Sequence, residues 1–223
     1  MAKNLINKIF NFFLEYGIGH LENPMLEQTA ELLNLLGTEQ RTFNEFKNEL
    51  QKIGTTISFS ADRDYFKIKV KGFDKYFEES LVYVSDFIDN VKVDNKKIKI
   101  LIDNAKTTRK MENKDPSIKG RALRDYVNYS DKSYYKRRMT IKDIKKTKSL
   151  HYIEAFKKAL NYELNILYTG QLDIYKVIST IENRLPLKEN PITSKSPIHI
   201  EVNDIDKDII YILNDKETVQ SQI

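Results

Sequence analysis

The chain has 223 residues, 40% hydrophobic and 31% charged, with seven glycines and five prolines, so its composition is that of a folded protein with a sizeable core and not of a disordered tail. It has no cysteine, which excludes disulfides, a thiolate nucleophile and Cys-ligated zinc or iron–sulfur centres, and leaves any metal to carboxylates and three histidines, His20, His151 and His199. The net charge of +5 is uneven, because fifteen Lys/Arg face only five Asp/Glu between Ala105 and Ser149.

The opening Met1-Ala2-Lys3 has the charge of a secretory n-region, but Phe10, Phe12, Leu14, Tyr16 and Ile18 recur at period two. This spacing predicts a strand from about Lys8 to Gly19 and no targeting segment, so the compartment, periplasmic or cytoplasmic, stays open. No run approaches the roughly 18 to 20 uncharged apolar residues of a membrane span. Asn23-Pro24 then supplies an N-cap and a first-turn proline for a helix to Leu36, with Leu26, Ala30, Leu33 and Leu36 on one face and Gly37 expected to end it in the left-handed conformation. Thr42 and Glu45 make a capping box for a second helix, closed by Gly54. Thr55 to Ser60 and Tyr65 to Lys71 read as a hairpin, since Phe66, Ile68 and Val70 alternate with Lys67, Lys69 and Lys71, which are expected on a solvated face.

Asp74 is expected to cap a long helix carrying Phe77, Leu81, Val84, Ile88 and Val91, and Asp94 to begin another that Pro116 stops. Further helices are expected over Ser117 to Tyr129, Thr140 to Lys146 and Leu150 to Leu160, then a strand from Glu163 to Thr169 and a helix with Ile174, Ile178, Ile181 and Leu185. Together these give an α+β fold, an antiparallel sheet with helices on one face. Three of the five prolines fall between Pro186 and Pro197. The expected organisation is therefore a domain over 1–186, a linker over 187–197, and at 198–223 the start of a following domain, with strands at Ile198 to Val202, Asp208 to Leu213 and near the end at Val219 to Ile223.

No P-loop, dinucleotide glycine fingerprint, GxSxG elbow or HExxH motif is present. His20 beside Glu22 is a thin candidate for a metal pair or an autonomous hydrolase, and His151 and His199 read as polar-face residues. The segment 132–148 offers a candidate basic patch of Lys136, Arg137, Arg138, Lys142, Lys145 and Lys146, where Tyr134 and Tyr135 interleave aromatics with cations. Such a patch suits an acidic protein partner or nucleic acid, and nucleic acid is disfavoured because Asp131 and Asp143 interrupt it and no nucleic-acid fold signature accompanies it.

The order of elements carries a resemblance. Phe10 to Thr38, a strand ending in Gly followed by a helix and a Gly-Thr pair, resembles the opening of a domain of the M16 (insulinase or pitrilysin) zinc metallopeptidases, and the hairpin with its Gly-Phe-Asp turn and the Gly170 turn continue the match to about Pro186. Active members carry HxxEH on that helix, two histidines binding zinc and the glutamate activating water. The corresponding residues here are Gln28, Glu31 and Leu32, so the resemblance implies a degenerate motif with no catalytic or metal-binding residues. The family's two halves are duplicated and usually only one keeps zinc. The implied role is thus a non-catalytic domain that binds no cofactor itself and faces a zinc-bearing catalytic half, in the same chain or a separate subunit, with a peptide substrate enclosed between them.

Overall fold

The computed structural model describes residues 2, 3, 8–195, 197–204 and 207–213. The period-two stretch forms β2 (Ile9–Tyr16), which follows a two-residue β1 (Ala2–Lys3) that the sequence pattern does not reveal. Phe10, Phe12, Leu14 and Tyr16 are buried, while the intervening residues lie on the opposite face. The hairpin forms β3 (Thr56–Ala61) and β4 (Phe66–Phe73), and the late apolar strand is β5 (Leu164–Gly170). The sheet order is β1-β5-β2-β4-β3, with β2 antiparallel to both β4 and β5 and β1 parallel to β5. The architecture is the expected α+β.

Nine α-helices occur among the described residues, eight of them at the places the sequence signals mark: α1 (Met25–Leu33), α2 (Phe43–Lys52), α3 (Phe77–Asn90), α4 (Lys97–Glu112), α5 (Pro116–Tyr129), α6 (Tyr134–Arg137), α7 (Ile141–Lys146), α8 (Ser149–Ala159) and α9 (Ile174–Arg184). Of these α6 is new, a single turn too short for periodicity to show. The helices α1, α3 and α8 lie against the buried sheet face, and aromatic rings fill the space between. Phe77 meets Phe10, Phe12 and Tyr168 edge-on at 5.1, 5.5 and 5.3 Å, and Phe59 contacts Phe87 at 4.8 Å. On the open face Lys67 is not merely solvated. It joins Glu15 at 2.9 Å and Asp62 at 2.8 Å, while Lys69 lies over the Phe13 ring.

Both capping boxes form, at Thr42/Glu45 and Thr140/Asp143, and Gly54 takes a positive φ of 64° after α2. Gly37 does not adopt the left-handed conformation expected of it. Its need is space, because a Cβ there would stand 2.3 Å from the Arg41 carbonyl oxygen. Asp74 likewise does not cap α3. Buried, it accepts hydrogen bonds from the Tyr168 hydroxyl at 3.0 Å and the Gln171 amide at 3.2 Å, locking the β4–α3 turn onto the end of β5. At the C-terminal end of α3, Lys157 Nζ donates to the carbonyls of Ile88 and Asp89.

Beyond α9 the chain is not a free linker. Ile192 bridges to Tyr162, Ser194 Oγ donates to the Gly17 carbonyl, the Ile198 amide donates to Asp64 Oδ1, and Asn203 reaches Asn128 and Val127 at the end of α5. The strands expected at Ile198 to Val202 and Asp208 to Leu213 do not form, and among the described residues no neighbouring strand supplies either with a ladder. The strand expected at Val219 to Ile223 lies outside the described residues.

Candidate functional site

The helix α1 presents the three degenerate motif positions on its inner side and flank. Leu32 is fully buried in the core, Gln28 is buried with its Oε1 lacking a partner among the described residues, and Glu31 is exposed. The surrounding protein raises the Glu31 pKa above the usual carboxylate value, the charge of Glu27 adds to the rise, and Arg109 opposes it. Glu27, one turn back, accepts a 2.6 Å hydrogen bond from the Tyr134 hydroxyl. Zinc takes imidazole, thiolate or carboxylate donors. A carboxamide and a leucine do not fit that set, and no group of three His, Cys, Asp or Glu that could hold a metal occurs among the described residues.

At the C-terminal end of α1, Asn34 turns its carboxamide onto the outer edge of β3. Its Nδ2 donates to the Phe59 carbonyl at 2.8 Å and its Oδ1 accepts from the Phe59 amide at 3.0 Å, so one side chain stands in for a strand partner. Sequence reasoning missed this contact. The signal was a polar residue between Leu32-Leu33 and Leu35-Leu36.

The three histidines are scattered. His20 follows β2 and lies 5.1 Å from the Tyr134 ring, tilted by 53°, beside a crevice of about 10 Å³ that has no room for a substrate. Burial lowers its pKa, against the raising charges of Glu27 and Asp62. Its neighbour Glu22 accepts instead from the Tyr162 hydroxyl at 2.9 Å. His151 is exposed on α8, and His199 is exposed in the C-terminal segment.

The candidate basic patch is split by the fold. Arg137 donates to the Leu21 carbonyl, and Arg138 binds both oxygens of Glu112 at 3.0 and 2.7 Å while lying over the Tyr134 and Tyr135 rings. These two arginines pin α6 and the residue after it to the loop between β2 and α1 and to α4. Lys136 lies over Tyr126, and Lys142, Lys145 and Lys146 remain exposed. The tyrosines that would stack bases are therefore already engaged inside the domain.

Comparison with known proteins is consistent with this geometry. No curated protein matches the chain. Among solved structures, a conserved protein from Enterococcus faecalis superposes with a TM-score of 0.74 at 11% identity, over 94% of this chain and 53% of that one. An inactive M16 peptidase domain from Pseudomonas fluorescens gives 0.70 at 13% identity, over 88% and 50%, and the periplasmic protease PqqL from Escherichia coli gives 0.69 at 12%, over 90% and 22%. These likenesses concern the fold, and the chain spans 22% to 53% of the lengths of those three. The family model for insulinase, peptidase family M16, matches residues 17–128, from the end of β2 through most of α5, and the chain belongs to that family.

Proposed function

We propose that this domain is a non-catalytic part of an M16 peptidase, helping to enclose and bind a peptide opposite a zinc-bearing half. The observation that carries this reading is the state of α1, where the two positions corresponding to metal-binding histidines hold a buried Gln28 and a fully buried Leu32. With no imidazole on that face, Glu31 has no metal-bound water to deprotonate. The solved inactive M16 domain from Pseudomonas fluorescens, alike in fold, supports the same assignment. Residues 1–186 form the domain in this reading, 187–197 lead out of it, and 198–223 begin a neighbour.

The test is elemental analysis of the purified chain together with hydrolysis of quenched fluorescent peptides. The expected result is no stoichiometric zinc and no cleavage by the chain itself, with cleavage restored by an added zinc-bearing half. Stoichiometric zinc together with chelator-sensitive hydrolysis by this chain would overturn the proposal.

A further inference from the structure

Positive charge collects along one side of α4, beside α7. Lys106, Arg109 and Lys110 of α4, with Asn113 and Lys114 just beyond it and Ile141 of α7, line an open cleft of about 410 Å³. The cleft is shallow and open to solvent, so it presents its charges to a partner's surface and does not enclose a small ligand. Four of the six lining residues are cationic and none is a carboxylate. The acids of this region are committed elsewhere. Glu112 holds Arg138, Asp115 caps α5, Asp125 accepts from the Tyr134 amide at 2.7 Å, and Asp143 closes the capping box of α7. Among the described residues Lys106 pairs with the exposed Asp103 at 3.6 Å, an ion pair that contributes little.

Arg109 adds a second argument. Its guanidinium donates to the Met139 carbonyl, and its pKa is lowered first by burial and then by the charge of Arg138. One terminal nitrogen of Arg138 donates to both oxygens of Glu112. Burial and the neighbouring charge of Arg138 together disfavour the charged form of Arg109, against the opposing charges of Glu112 and Glu27, and a further anion entering the cleft would favour it.

We infer that this cleft is a docking site for an acidic protein or peptide segment, whose carboxylates meet Lys106, Lys110, Lys114 and Arg109. Lys106 and Lys110 are one helical turn apart, about 6 Å along the axis, which matches the roughly 6.6 Å between alternate residues of an extended chain. A nucleic acid is the poorer fit, because no aromatic ring lines the cleft to stack a base. The inference rests on the cleft alone and holds whether or not the domain serves a peptidase.

The test uses the full chain and a fluorescein-labelled ten-residue peptide alternating Glu and Ser, with its Lys-Ser counterpart and a single-stranded oligothymidylate as comparisons, read by anisotropy at low and high salt. The Glu-Ser peptide should bind at low salt and the Lys-Ser peptide should not. Combining Lys106→Glu, Lys110→Glu and Lys114→Glu should weaken binding about tenfold, or roughly 1.4 kcal/mol. Reversing Lys145, Lys146 and Lys148, exposed lysines outside the cleft, should change it less than about twofold, the size expected of weak surface pairs. All six lysines are exposed, so both variants should keep the circular dichroism of the parent. Absence of binding at low salt, equal weakening by the two sets, or tighter binding of oligothymidylate through the same cleft lysines would overturn the assignment.

Discussion

The sheet body, with α4 packed on it, and the helical arm of α5 to α7 are held together by different physics. In the body, β2, β4, α1, α3 and α8 bury large apolar side chains completely, and Phe77 alone touches three aromatic rings. In the arm, α5 has no buried residue along its whole length, α6 is a single turn, and Ile144 is the only residue of α7 that is buried. Besides the apolar anchor of Ile144, what fixes the arm is a set of directional polar ties: Arg138 to Glu112, Tyr134 to Glu27, Arg137 to the Leu21 carbonyl, and Asn203 to the end of α5. Hydrophobic burial gives the body cooperativity, whereas polar ties at the surface let the arm open without the whole domain unfolding.

The largest expected effect tests the body. Phe77→Ala removes a ring from the centre of the aromatic cluster and should cost about 3–5 kcal/mol in chemical denaturation. Leu123→Ala, a half-buried position of α5, should cost less than about 1 kcal/mol. Equal losses would show that the arm belongs to the same core, and the contrast would fail.

The next effect tests the arm. Glu112 and Arg138 are 17% and 18% exposed, so Arg138→Ala leaves a largely buried carboxylate without its partner, a loss of about 1.5–3 kcal/mol for hydrogen bonds to a charged group. The loss should be local. Hydrogen exchange should show the amides of α5 to α7 losing protection while those of β2 and β4 keep theirs, and uniform loss across both regions would refute an independently opening arm.

The same division explains what a single sequence could reveal. Positions set by local rules are readable: the alternation of Phe66, Ile68 and Val70, the Thr42/Glu45 and Thr140/Asp143 boxes, and the turn at Gly54. Positions whose purpose is tertiary look the same as local ones until the chain is folded. Asp74 has the composition of a helix cap, yet its carboxylate goes to Tyr168 and Gln171. Gly37 has the place of a left-handed terminator, yet it is there to let the Arg41 backbone approach. Arg137 and Arg138 read as surface cations because nothing local predicts that Leu21 and Glu112, both distant in sequence, come to meet them. The α1 substitutions were readable only through a resemblance, since Gln28 and Leu32 are ordinary helix residues by pattern.

A smaller effect sharpens the boundary of the body. Asn34→Ala removes both hydrogen bonds to Phe59 and uncovers the outer edge of β3, which should cost about 1–2 kcal/mol. An uncovered edge is also a template for pairing with another chain. The variant should therefore associate at concentrations where the parent stays dispersed, as read by light scattering. Stability lost without association would mean that the contact anchors α1 but does not guard the edge.

The smallest effect probes the seam between body and arm by pH. His20 is held there between Tyr134 of the arm and the loop after β2, facing Glu27, Asp62, Arg63 and Arg137. Its native pKa lies below the ordinary value of 6.5, so between those two values the unfolded chain binds more protons than the native one. The contribution of His20 is accordingly complete above about pH 6.5 and is lost as pH falls toward the lowered native value. Glu31 acts in the opposite sense. Its raised pKa makes the native state hold the proton more tightly, a contribution that is complete below about pH 4.5 and is lost as pH rises through the raised value. His20→Gln should therefore flatten the fall in stability between pH 7 and 5, and Glu31→Gln should steepen the net fall on the acid side by removing the opposing term. If His20→Gln leaves the slope unchanged, protonation of the seam does not load the contact between arm and body, and the remaining ties set when the arm opens.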